Sequence, residues 1–199
     1  MRKKFGYLGI IAALGALVYY SLGAGNGQEA YETAIREKRL AKETYLRTGT
    51  ASPFVLSGTT PEDFSYFPID DDYKVTAVVD RITERQVMRI QNSDGTSSQY
   101  LKYAWLTFEL KEQPMKLLVL KPAFSPGFFL GFADETSGES TYGGGRYLDI
   151  ESLRSDRVSL DFNLAYNPYC AYASDYLCPL PPAENILDLA IEAGEKKYQ

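Results

Sequence analysis

The sequence predicts a mainly β protein: an antiparallel barrel or sandwich of about eight strands, with an N-terminal and a C-terminal helix. Three observations carry this. Sixteen Tyr and ten Phe in 199 residues favour strands and binding surfaces over a helical bundle. Short apolar runs follow one another through the middle of the chain, joined by connections too short for parallel crossovers. Between two of those runs stands Asn92-Ser93-Asp94-Gly95, a strong turn signal.

The elements follow in order. Glu29 to Arg47 is charged and helical in character, with Glu32/Arg36 and Glu43/Arg47 at i,i+4 spacing. Tyr31, Ile35 and Tyr45 give it a thin apolar stripe. Pro53–Leu56 reads as a short edge strand. Strands are expected at Tyr73–Ile82, Gln86–Gln91, Gln99–Leu110, Met115–Lys121, Phe128–Ala133, Tyr142–Leu148 and Val158–Phe162, with a turn at Lys111–Pro114. Pro181-Pro182 can open a helix, whose apolar face would be Ile186, Leu187, Ala190 and Ile191. A sheet of this size tends to close into a barrel or fold into a sandwich.

The chain divides into a leader with linker, residues 1–28, and a single β-rich domain, residues 29–199. Phe5–Ala24 is uncharged, mostly apolar and preceded by Arg2-Lys3-Lys4. Its length suits a membrane-spanning helix, and the basic cluster would hold its start in the cytoplasm. That predicts a signal anchor with the domain extracytoplasmic and the membrane as a partner. The alternative is a cleaved signal peptide, with Ser21-Leu22-Gly23 as a loose cleavage site and a secreted or periplasmic product.

Composition excludes several chemistries. The net charge of −5 argues against nucleic-acid binding, which needs a basic patch. The chain has no histidine. That removes Ser-His-Asp and Cys-His catalysis, histidine metal ligation and a histidine pH switch. No cofactor is indicated.

The densest polar chemistry lies between Asp134 and Asn185. Gly143-Gly144-Gly145-Arg146 can cradle an anion, with Arg146 as a bidentate partner. It equally suits a tight hairpin or bulge, with Arg146 paired to an internal carboxylate. It is no P-loop, since the lysine and the following Ser/Thr are missing. Asp134, Glu135, Glu139, Asp149 and Asp161 supply the carboxylates a glycosidase would use, or they cap turns. Asp161, Asn163 and Asn167 could ligate calcium or order loops. Asp70-Asp71-Asp72 is too short to diagnose a site. Cys170 and Cys178 lack zinc spacing, and in an exported domain a disulfide is the default.

The segments Ser52-Pro53-Phe54, Phe64–Pro68, Asp134–Gly138, Thr141–Asp149, Asp161–Tyr172, Cys178–Asn185 and Gly194-Glu195-Lys196 resemble domain-of-unknown-function family 1684, known from bacteria and archaea. The resemblance covers roughly Ala30 to Lys197. It implies no activity and assigns no catalytic roles.

The sequence therefore supports three readings and leaves enzyme status open. The first is a membrane-tethered domain binding a small anionic or polyhydroxylated ligand through Asp134, Tyr142, Arg146, Asp161, Asn163, Asn167 and Glu184. The second is a structural or interaction module of the cell envelope. The third is a carboxylate-based hydrolase. Arg146 separates them. A donor fork left open to a cavity marks a ligand site, whereas one spent inside the protein marks scaffold.

Overall fold

The computed structural model of the chain describes residues 27–198. Two compact units divide at Leu40 and Ala41. The described part of the first, residues 27–40, is helical, and within it Arg36 forms the expected i,i+4 ion pair with Glu32. The second unit holds all the strands found among the described residues.

Residues 41–48 open the second unit as helix. Pro53–Ser57 is a short helix, not the expected edge strand. Ser52 caps it, accepting from the Phe54 amide at 3.2 Å, and Pro53 occupies its first turn, where proline costs nothing. The main sheet is antiparallel: β1 (Lys74–Arg81), β2 (Val87–Gln91), β3 (Ser97–Leu110), β4 (Gln113–Pro122) and β7 (Arg157–Asp161). β3 is the long central strand. β4 runs the length of one edge, while β2 and β1 share the other edge in succession, through Val87↔Leu101 and Arg81↔Ala104. β7 extends the sheet beyond β1. β5 (Gly131–Phe132) and β6 (Arg146–Tyr147) form a second, two-stranded sheet.

Two expectations are corrected here. The main sheet does not close: β4 pairs only with β3 and β7 only with β1 within it, so the barrel is not formed among the described residues. Nor is the C-terminal helix found among the described residues. A single 3-10 turn at Ala183–Asn185 gives way to an irregular, largely extended strap. The cause lies in Pro179, Pro181 and Pro182, which bias the chain towards extended backbone, and in the burial alternation. Asn185 and Leu187 are buried while Ile186 and Asp188 face solvent, a period of two that no helix shows.

The main core joins Leu106, Phe108, Leu117 and Val119 of the sheet to Leu130, Phe132, Leu148, Phe162 and Ile191. Phe162 stands edge-on to Phe132 at 5.3 Å and tilted to Phe108 at 5.8 Å, an arrangement worth about 1 kcal/mol per pair beyond burial. A smaller cluster of Ile90, Tyr100, Leu118 and Leu120 forms a separate group. Phe54, Phe64, Tyr172 and Tyr198 all touch one another, with centroids 5.2–6.1 Å apart. They tie the short helix to the end of the strap.

No helix among the described residues is long and apolar enough to cross a membrane. The Phe5–Ala24 segment, read as an anchor or cleaved signal, lies outside the described residues. The helical residues 27–48 carry charges along their length. The structure thus gives no support to a transmembrane helix, to the membrane as a partner or to an anchored, extracytoplasmic location.

Candidate functional site

Arg146 begins β6, and the glycines before it explain how it enters. Of Gly143, Gly144 and Gly145, only Gly145 has a positive φ, +83°. A Cβ there would lie 2.5 Å from Pro181 Cγ and 2.6 Å from the Phe132 carbonyl oxygen. Glycine is therefore required on two counts, backbone angle and space. The chain turns beneath the proline run and delivers Arg146 inwards. The alternation then follows the pleat: Arg146 and Leu148 are buried, Tyr147 is half-buried and Asp149 is exposed.

Arg146 is 0% exposed, and its two terminal nitrogens are spent inside the protein. Nη2 donates to Asp134 Oδ2 at 2.8 Å and to the Ile191 carbonyl at 2.9 Å. Nη1 donates to the Ala193 carbonyl and, at 3.4 Å, to that of Glu195. The three carbonyls stand two residues apart, as extended backbone presents them. One guanidinium thus replaces the hydrogen-bonding partner that a strand would have given the strap. Nε has no hydrogen-bond partner in the protein. Burial lowers the Arg146 pKa, opposed by the adjacent Asp134.

Asp134 is fixed from its other side. Its Oδ1 accepts from the Thr136 amide at 2.8 Å and hydroxyl at 2.5 Å, and from the Ile191 amide at 3.4 Å. Glu195 is buried too. Its carboxylate accepts from Tyr172 Oη at 2.5 Å and the Asn167 amide at 3.0 Å. Burial raises its pKa, against those hydrogen bonds and the charge of Lys42.

Of the remaining expected site residues only Asn167 touches this network, through its backbone amide. Asn163 is buried and bridges to Asp70: its Nδ2 donates to the Asp70 carbonyl at 2.7 Å, and its Oδ1 accepts from the Asp70 amide at 3.1 Å. Asp161 caps the 3-10 turn Phe162–Leu164, accepting from the Asn163 amide at 3.1 Å. Asn167 is buried and donates to the Lys196 carbonyl at 2.8 Å, while its Oδ1 lacks a partner. Glu184 pairs with Lys102 at 3.0 Å on the flank of the sheet. Asp70 and Asp72, the acidic run, share Lys111 at 3.4 and 2.9 Å. One concavity of the surface is lined by Glu62, Asp63, Phe64 and Ser65 and includes none of the expected site residues.

Tyr142, half-buried, points elsewhere. Its hydroxyl donates to Cys170 Sγ at 3.8 Å, and burial, then the thiol contact, pushes its pKa up to about 12. Cys170 and Cys178 are free thiols, which corrects the expected disulfide. They meet as hydrogen-bonding partners: the Cys170 amide donates to Cys178 Sγ at 3.1 Å, and the Cys178 amide is held by Ser93 Oγ at 3.2 Å. The Cys178 thiol contact is the main influence holding the Cys170 thiol down to about 6, while the same contact pushes Cys178 up.

Two groups escaped sequence reasoning. Lys42 Nζ lies 3.0 Å from the centre of the Tyr166 ring, and Tyr166 Oη donates to Asp149 Oδ1 at 2.6 Å. Burial lowers Lys42 to about 8, with Glu195 and Asp149 pulling the other way. Asn185, wholly buried, joins β4 to β5: its Nδ2 donates to the carbonyls of Leu118 at 2.9 Å and Gly131 at 2.8 Å, and its Oδ1 accepts from the Leu118 amide at 2.6 Å. Lys42 sits among several other charges of one helical stretch and carries no distinguishing signal. Asn185 closes a proline-rich motif, where a buried bridging amide could have been suspected.

No curated protein matches the chain. Among solved structures, it is similar to the solution NMR structure of an uncharacterized protein from gene locus rrnAC0354 of Haloarcula marismortui. The two are 34% identical, with a TM-score of 0.65, and the match covers 86% of this chain and 96% of that one. Residues 61–196, which include every buried polar group just described except Lys42 and its helix, match a family described as "Protein of unknown function (DUF1684)", and the chain belongs to that family.

Proposed function

We propose that the polar motifs between Asp134 and Lys196 serve the fold, and that the chain acts as a structural or interaction module. The observation that carries this is the fate of Arg146. Its side chain is inaccessible, and both terminal nitrogens are taken by Asp134 and by three carbonyls of the strap. An anionic ligand would have to displace a buried carboxylate to reach it, at a cost of several kcal/mol. The other expected ligand residues hold turns and strands together at separate places. Of the carboxylates a hydrolase would use, Asp134 is held by Arg146, Asp149 accepts from Tyr166 and Asp161 caps the turn Phe162–Leu164. In this reading the small sheet and the strap form a second layer on the main sheet, giving a sandwich-like domain locked by Arg146.

Thermal melts of the wild type and Arg146→Lys test this, each with and without inorganic phosphate, sulfate and simple sugars. The expected result is no ligand-dependent shift in the wild type and a much lower melting temperature for the variant. A concentration-dependent rise in the wild type that Arg146→Lys abolishes, while still folding well, would establish a ligand site instead.

A further inference from the structure

Cys170 is half-buried in the turn Tyr169–Ala171, and Cys178 is 6% exposed on the outgoing chain. Donors converge on the two sulfurs: the Cys170 amide on Cys178 Sγ at 3.1 Å and the Tyr142 hydroxyl on Cys170 Sγ at 3.8 Å. Such N–H and O–H donors steady thiolate charge around a metal and orient the ligand sulfurs.

The donor set selects the metal. The chain has no histidine and only these two cysteines. Among the described residues, no carboxylate joins them in a group of three ligands; the one such group is Asp70, Asp71 and Asp72. Zinc, which takes four protein ligands in a structural site, would find half of them. A soft monovalent cation needs only two thiolates and prefers sulfur to oxygen. We propose that Cys170 and Cys178 form a two-coordinate thiolate site for copper(I). Binding replaces the thiol protons, which pass to solvent, with two S–Cu bonds and no change of oxidation state. The half-buried face of Cys170 is the entry, and the Tyr142 hydroxyl and Cys170 amide stay as donors to sulfur.

The test is anaerobic competition for copper(I) between the reduced protein and a chromophoric copper(I) chelator, bathocuproine disulfonate. The wild type should withdraw one copper(I) per chain and gain a sulfur-to-copper absorption band in the ultraviolet. Cys170→Ser and Cys178→Ser should each lose that uptake, while Tyr142→Phe should keep the stoichiometry and bind roughly tenfold more weakly, as loss of a hydrogen bond to a metal ligand does. Zinc in excess should not displace the copper. Melting curves check that each variant folds; should Cys178→Ser fail, the more exposed Cys170→Ser alone decides. No withdrawal of copper by the folded wild type, or wild-type uptake by folded Cys170→Ser, would overturn the proposal.

Discussion

Arg146 Nη2 and Asp134 Oδ2 meet at 2.8 Å with side chains 0% and 1% exposed. An ion pair so deep is poor evidence of net stabilisation by itself, because desolvating both charges costs as much as their attraction returns. Its value here is positional. The guanidinium that neutralises Asp134 also gathers the carbonyls of Ile191, Ala193 and Glu195. It therefore fixes the strap in the one conformation that fills the core with Ile191.

Gly145 and Gly138 give a paired prediction. Both have positive φ, +83° and +89°, but a Cβ at Gly138 meets nothing within 4 Å whereas one at Gly145 meets Pro181 and the Phe132 carbonyl. Gly138→Ala should cost about 1–2 kcal/mol, the left-handed penalty alone. Gly145→Ala should cost roughly 2 kcal/mol more, from overpacking. Urea denaturation of both variants checks the difference, and equal costs would contradict the close approach of the proline run.

Asn185 predicts a pH-dependent variant. Asn185→Leu leaves the Leu118 amide and carbonyl and the Gly131 carbonyl without partners and should cost about 3 kcal/mol. Asn185→Asp keeps the shape but turns an oxygen towards the two carbonyls that Nδ2 now serves. Protonated, that carboxyl can still donate one bond; ionised, it repels both. Its folded pKa should rise above the ordinary aspartate value. Stability relative to wild type should then be best at acid pH and fall as pH rises through the raised pKa. Denaturation between pH 4 and pH 8 measures this, and a flat difference would count against the geometry.

Lys42 should titrate near 8. Its pKa is depressed on folding, so the sign is fixed. Above the ordinary lysine value of 10.5, neither the folded nor the unfolded chain holds the proton. Between 10.5 and about 8 only the unfolded chain binds it, so Lys42's contribution to stability falls as pH falls through that window. Below about 8 the burial cost is fully present. NMR titration of the lysine Cε resonances should show one midpoint near 8, missing in Lys42→Gln. A midpoint at 10 or above would place Lys42 in solvent.

Much of the sheet was legible in the sequence, because its signals are local. Alternating apolar residues and the Asn92–Gly95 turn define β2 to β4 within a few residues. Lys111 and Glu112 make their turn with positive φ, 50° and 62°, without any glycine. The strap was misread because Ile186, Leu187, Ala190 and Ile191 fit a helical face as well as an extended one; the prolines before them and the distant guanidinium together favour the extended form. The short helix at Pro53 was misread because four apolar residues carry no period of their own. Arg146 was found by its glycines. That its other bonds go to the carbonyls of the strap depended on contacts across 45 or more positions of sequence, which no spacing records.

A double-mutant cycle on Arg146→Met and Asp134→Leu, read by urea denaturation, tests the central claim most directly. The account predicts that each single change costs about 3–5 kcal/mol, the first leaving a buried carboxylate and the second a buried cation without its partner. The double variant should cost less than the sum of the two by roughly 1–3 kcal/mol. Single changes within about 0.5 kcal/mol of wild type, the range of ordinary surface positions, would show that Arg146 does not hold the strap and would contradict the account.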